Sequence, residues 1–192
     1  MRILNIGGGP RTIPLPPFYQ ECDVDWLDID PTWEPDLVLD ARDLDALDAG
    51  GYDGVYGSHI LEHFAPHDLH KVLAGVLHVL KPDGFADFRV PNITAAIQAM
   101  MDNDGDPYTF LYQSGPGPIT TRDMLYGYAP FVEQYGECQC HRNGFTRDSL
   151  VGDLLAAGFE NVYSRVYGFE VRAIAGKGEI TTEQLEKLRA LR

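Results

Sequence analysis

The sequence predicts an α/β fold: a doubly wound, mostly parallel, seven-stranded sheet with a closing antiparallel hairpin. Three observations predict it. Short strand-like runs alternate with helical ones through most of the 192 residues. The first run ends directly in Gly7-Gly8-Gly9-Pro10. Two adjacent apolar runs near the C-terminus are separated only by a tight turn.

Arg2–Ile6 is apolar and stops at glycines, so it reads as the first strand. Asp23–Ile29 and Leu37–Leu39 follow as short strands that each lead to an acidic residue, Gly54–Tyr56 as a fourth and Gly84–Val90 as a fifth. The clearest helix lies between the last two. Pro66 suits its first turn, and Leu69, Val72, Leu73, Val76, Leu77 and Leu80 recur on one face before Lys81-Pro82-Asp83-Gly84 stops it. A second helix covers 147–157 and ends at Gly158. Asn161–Val166 and Gly168–Ala175 form the closing hairpin. Thr181 to Gln184 has capping-box spacing before a terminal helix carrying Leu185, Leu188 and Leu191. That helix is a packing element for the domain or for a second copy of the chain, a homodimer.

Residues 93–143 break the alternation. They hold Met100-Met101, a Gly- and Pro-containing stretch from Ser114 to Pro118, and the aromatics Tyr108, Phe110, Tyr112, Tyr126, Tyr128, Phe131 and Tyr135. An insertion after the fifth strand falls at the carboxyl edge of the sheet, where open α/β folds bind ligands, so it is a candidate lid or substrate wall within a single domain, 1–192. Its aromatics serve equally well as a platform for a ring or as the insertion's own core.

A hydrophobic content of 44% and a charged content of 23% are those of a globular chain. The formal net charge of −14, with arginines scattered rather than clustered, argues against a nucleic-acid substrate and for a small molecule or neutral glycan. No apolar run approaches the roughly 20 residues that cross a bilayer, and no signal-like segment precedes the first strand, so no membrane partner and a cytoplasmic location are expected. Cys138-Gln139-Cys140-His141 resembles half a metal site. A closed zinc site needs a second ligand pair, and since the sequence has none, no metal is expected.

Four places along the chain carry candidate ligand chemistry. Glycine after the first strand lets backbone approach a ligand and offers N–H donors. The dinucleotide pattern G-x-G-x-x-G fails, because Ile13 stands near the place of its third glycine. Four prolines, Pro10, Pro14, Pro16 and Pro17, also leave little room for the long helix that a dinucleotide site starts. Trp26-Leu27-Asp28-Ile29-Asp30-Pro31 puts carboxylates at the end of the second strand, where one can accept both hydroxyls of a ribose; Asp28 is the first choice and Asp30 the reserve. Asp40-Ala41 closes the third strand, where a carboxylate can accept an adenine amine. Tyr56-Gly57-Ser58-His59-Ile60-Leu61-Glu62-His63-Phe64 follows the fourth strand at the same edge.

This order resembles the class I S-adenosylmethionine-dependent methyltransferases, in particular small bacterial members of poorly defined substrate. The resemblance runs through Leu4 to Pro10, Asp28, Asp40, Ser58 to His63, Val79 to Gly84, Val90-Pro91-Asn92, and Phe145-Thr146 to Ala157-Gly158-Phe159. It implies a Rossmann-like fold, methyltransferase activity and S-adenosylmethionine as cofactor. Carried over, Gly7 and Gly9 would line the methionine end, Asp28 would hold the ribose, Asp40 and Ala41 would meet the adenine, Ser58 and His59 would lie beside the sulfonium, and Pro10 and Ile29 would also touch the cofactor. Three departures stand out. Asn5 replaces the family's usual Asp or Glu, Arg11 takes the place of a third glycine, and the helix after the glycine turn is shortened or lost. Arg11 can pair with the cofactor carboxylate if its loop folds back.

Methyl transfer to an alcohol or amine needs positioning and a proton acceptor, which points to histidine. His59, His63 and His141 are the candidate bases. The function expected is methyl transfer to a hydroxyl or amine of a small molecule or glycan. The alternative is a catalytically silent cofactor-binding subunit that supports a partner enzyme, favoured by the altered glycine turn.

Overall fold

The computed structural model describes residues 1–182, 185 and 186. Seven strands form one sheet in the order β3-β2-β1-β4-β5-β9-β8. These are β1 (Arg2–Ile6), β2 (Asp23–Asp28), β3 (Leu37–Val38), β4 (Tyr52–Ser58), β5 (Leu80–Pro91), β8 (Asn161–Tyr167) and β9 (Glu170–Gly176). β1 to β5 pair in parallel, whereas β9 runs antiparallel to β5 and β8 antiparallel to β9, which is the expected closing hairpin.

The helices explain the two faces. α2 (Pro66–Val79) starts on Pro66 and buries Leu69, Val72, Leu73, Val76 and Val79 against β4 and β5. α6 (Arg147–Ala157) opens with a reciprocal Thr146–Ser149 capping box and closes on Gly158 in the left-handed conformation. It adds Leu150 and Leu154 to the same core. On the other face α1 (Pro17–Gln20) has only four residues, as the prolines before it predict. Its Tyr19 is fully buried beside Ile3, Tyr56, Phe85 and Ile174. The Tyr19 hydroxyl donates to Asp87 of β5 at 2.6 Å, and Arg172 of β9 grips the same carboxylate at 2.7–2.8 Å.

β4 and β5 run longer than their apolar runs. Leu80 pairs with Tyr52 straight out of α2, and the ladder resumes with Gly54 opposite Phe85, so the Lys81–Gly84 turn is absorbed as an irregularity within the pairing. Residues 93–143 contribute α3 (Ile93–Met101), a small antiparallel pair of β6 (Phe110–Gln113) and β7 (Pro118–Thr120), α4 (Thr121–Tyr126) and α5 (Ala129–Tyr135). The expected terminal helix falls mainly outside the described residues; within them, Leu185 is buried in the α1-side core. Among the described residues no helix is long and apolar enough to cross a membrane.

Candidate active site

The carboxyl ends of β1, β2 and β4 open onto one cavity of about 920 Å³. Gly7 and Gly9 take positive φ values of 64° and 56°, which side-chain-bearing residues rarely adopt, so the turn needs glycine there. A Cβ on Gly7 would also meet the Ile60 side chain at 2.6 Å, while one on Gly9 would point into open space. Asp28 ends β2 with its side chain fixed by two backbone donors: the Gly9 N–H reaches one carboxylate oxygen and the Asp30 N–H the other, both at 2.9 Å. A carboxylate has about four lone-pair sites, so acceptor capacity remains on the cavity side. Ile29 follows it, half exposed and lining the same cavity with Pro10, Asp40 and Ala41.

Two residues expected at this end already have partners. Arg11 does not fold back toward the cavity. It pairs with Asp36 at 2.7 Å and lies over the Trp26 ring, and it does not line the cavity. Asp40 lines the cavity with part of its acceptor capacity already taken by Arg42. Its carboxylate caps the turn over 41–46 through the Arg42 N–H and holds the Arg42 guanidinium at 2.6 Å, which keeps its carboxyl below the usual carboxylate range.

Beyond the glycine turn, Ser58 ends β4 and His59 follows in the left-handed conformation at φ 54°, its N–H held by the Arg89 carbonyl at 2.8 Å. The His59 ring lies between two carboxylates, Glu62 at 3.2 Å and Glu170 at 3.6 Å. Its side chain is about half exposed; desolvation opposes the cation, but Glu170 and Glu62 outweigh that and push its pKa up to about 10. A histidine held protonated in this way is an ion-pair partner at neutral pH, not the free base expected of it. His141 is the opposite case, since burial pulls its pKa down.

His63 and His141, which also line the cavity, face one another with ring centroids 5.0 Å apart. His63 Nδ1 donates to the Cys140 carbonyl at 3.2 Å and His141 Nδ1 to the Met124 carbonyl at 2.8 Å. The Cys138–His141 tract therefore contributes a carbonyl and an imidazole, and its thiols are free. The insertion's aromatics divide. Tyr128, Phe131 and Tyr135 line the cavity, with Trp33 packed 5.1 Å from Tyr135. Tyr108, Phe110 and Tyr126 are exposed elsewhere, and Tyr112 stacks on Phe169.

Sequence reasoning gave no role to Glu62, Glu170 or Trp33. Glu62 lay within a singled-out motif, yet nothing local says that its carboxylate is buried. Glu170 comes from the distant hairpin, and Trp33 from a turn with no periodic signal.

A sequence profile of the methyltransferase domain matches residues 1–164. No curated protein matches the chain. Solved structures share its fold. An S-adenosylmethionine-dependent methyltransferase from Archaeoglobus fulgidus is 16% identical with a TM-score of 0.59, over 92% of this chain and 86% of the other. One from Methanosarcina mazei is 17% identical with a TM-score of 0.57, over 92% of each chain. The Burkholderia thailandensis 1,6-didemethyltoxoflavin-N1-methyltransferase, bound to its namesake and S-adenosylhomocysteine, is 18% identical with a TM-score of 0.54, over 93% and 71%.

Proposed function

Because the chain belongs to the methyltransferase-domain family, whose class I members use S-adenosylmethionine, we propose that it methylates a hydroxyl or amine of a small, ring-bearing molecule. The observation that carries this reading is a single cavity that gathers the glycine-turn backbone, the fixed Asp28 carboxylate, Ser58 and His59, an aromatic wall and two imidazoles.

The residues present fit the cofactor. Asp28 is held rigid with acceptor capacity to spare for ribose hydroxyls, and Gly9 leaves the space that a side chain would take. Gly7, Gly9 and Pro10 would line the methionine end, and Ile29 and Ala41 would flank the adenine. Asp40 would act there mainly by fixing the turn that carries Ala41. When bound, S-adenosylmethionine supplies a methyl group already activated by the sulfonium.

The chain's own task is then to align the acceptor and receive its proton. Tyr128, Phe131, Tyr135 and Trp33 offer apolar ring faces suited to a planar or sugar-like acceptor, with residues 93–143 as a wall of the single domain. His63 and His141, each with Nδ1 already donating, have Nε2 as the nitrogen that can meet the acceptor group. The Burkholderia neighbour named above is a methyltransferase bound to a small molecule, which supports the same class of acceptor without identifying it.

The test is a labelled-methyl screen of phenols, alcohols, amines and glycosides with the full chain. Transfer to a ring-bearing hydroxyl or amine is expected. Cofactor binding without transfer to any class would overturn the proposal and favour a silent cofactor-binding subunit.

A further inference from the structure

Glu62 is 1% exposed, and neither of its carboxylate oxygens receives a hydrogen bond. The His59 Nδ1, 3.2 Å from one of them, makes an ion-pair contact out of hydrogen-bonding line. A desolvated carboxylate is costly unless a donor or cation faces it. Besides the His59 contact, a pair of imidazoles lies beside it. One potential ligand atom from each of Glu62, His63 and His141 lies within 4.8 Å of the other two. Carbonyls only accept, so the contacts to Cys140 and Met124 place a proton on Nδ1 of both histidines, and in the neutral ring the lone pair is then on Nε2. An Nδ1 donating to a carbonyl is also the outer-shell arrangement that orients ligating histidines in metal sites.

The backbone holds this grouping together across the length of the insertion. The Glu62 carbonyl accepts from the Arg142 N–H at 2.8 Å and the Asn143 N–H at 3.0 Å, which fixes the segment after His141 to the turn that carries Glu62 and His63. Imidazole nitrogens with a free lone pair and a carboxylate are all electron-pair donors, and a dication satisfies the three at once.

We propose that Glu62, His63 and His141 form a binding site for a divalent transition-metal ion of the zinc, manganese or cobalt class. Two nitrogens and one carboxylate oxygen suit such an ion better than calcium or magnesium, which prefer all-oxygen sets. Three protein ligands leave coordination positions open, the pattern of catalytic rather than structural sites. His63 and His141 line the cavity, so an acceptor hydroxyl can complete the coordination sphere. Resting on the methyl-transfer reading above, this makes the acceptor an alcohol or phenol. The ion lowers the hydroxyl pKa and the O–H proton leaves to water. The oxygen then bonds to the methyl carbon as the carbon–sulfur bond breaks, and its electron pair stays on sulfur. In the loaded enzyme His63 and His141 act as ligands rather than bases.

The test is a titration of chelator-stripped full chain with Co²⁺ and with Zn²⁺, read by calorimetry and by the visible d–d bands of bound Co²⁺. S-adenosylmethionine affinity is measured on the same samples. Wild type is expected to take up one ion. Glu62→Gln, His63→Asn and His141→Asn should each weaken uptake by at least about tenfold and lose the d–d bands, with cofactor affinity retained. If burial makes Glu62→Gln misfold, the two histidine variants decide the matter. No uptake by wild type, or equal uptake by both histidine variants, overturns the site while leaving methyl transfer standing. Metal uptake with no cofactor binding keeps the site and overturns the functional reading instead.

Discussion

Asp28 has a backbone N–H on each carboxylate oxygen before any ligand arrives, so its orientation costs little on binding. A hydrogen bond to a charged acceptor contributes about 1.5–3 kcal/mol, and Asp28→Ala should weaken S-adenosylmethionine about 10–100-fold by calorimetry. Arg11→Ala should change that affinity less than about twofold, because Arg11 is engaged with Asp36 outside the cavity and an exposed pair of this kind contributes little. A large loss in Arg11→Ala would mean that the loop folds back when cofactor binds. The two residues also show where the sequence was legible. Asp28 follows from the rule that parallel strands deliver side chains to one edge. The partners of Arg11 and Asp40, Asp36 and Arg42, were not legible, because they are set by how the loops turn, which no periodicity encodes.

At the scale of elements, the long periodic segments were readable and the short ones only in outline. β1 stops at glycines, α2 has an apolar face and a proline at its start, and α6 stops at Gly158, so their limits agree with expectation to within a residue. β4 and β5 are longer than their apolar cores because ladder pairing extends strands into sequence that has no β signal of its own. Asp87 joins three elements, since it meets Tyr19 of α1 and Arg172 of β9 from within β5. Asp87→Ala should cost roughly 3 kcal/mol in urea unfolding, as expected when a buried guanidinium loses its carboxylate; a cost under about 1 kcal/mol would show that the contact is incidental. In the insertion, Tyr135→Ala should raise the acceptor KM several-fold and leave cofactor affinity unchanged. An equal effect on both would mean that the aromatic wall serves the cofactor.

For the whole molecule, sheet order turns scattered residues into a site. The acidic strand ends and the Ser58–His63 stretch could be placed from sequence because they belong to the parallel half of the sheet. The Glu62–His63–His141 grouping could not, since it depends on the path of the insertion back to the turn after β4 and on the burial of one carboxylate. The expectation of no metal came from counting ligands in one contiguous tract, whereas the cluster draws on two distant ones. A cofactor that binds only the folded chain stabilises it by about 2.7 kcal/mol at one hundred times its Kd. The melting temperature should therefore rise by about 5–10 °C at that concentration in a chain of this size. NAD should give no such rise, because the glycine turn lacks the dinucleotide spacing and α1 is too short to seat a pyrophosphate at its start.

The most direct test of the central claim is a calorimetric titration of S-adenosylmethionine into the full chain and its Asp28→Ala variant. Saturable one-to-one binding by wild type, weakened about 10–100-fold in the variant, is the predicted result. No binding of S-adenosylmethionine or S-adenosylhomocysteine by wild type, or equal binding by both proteins, would contradict the account.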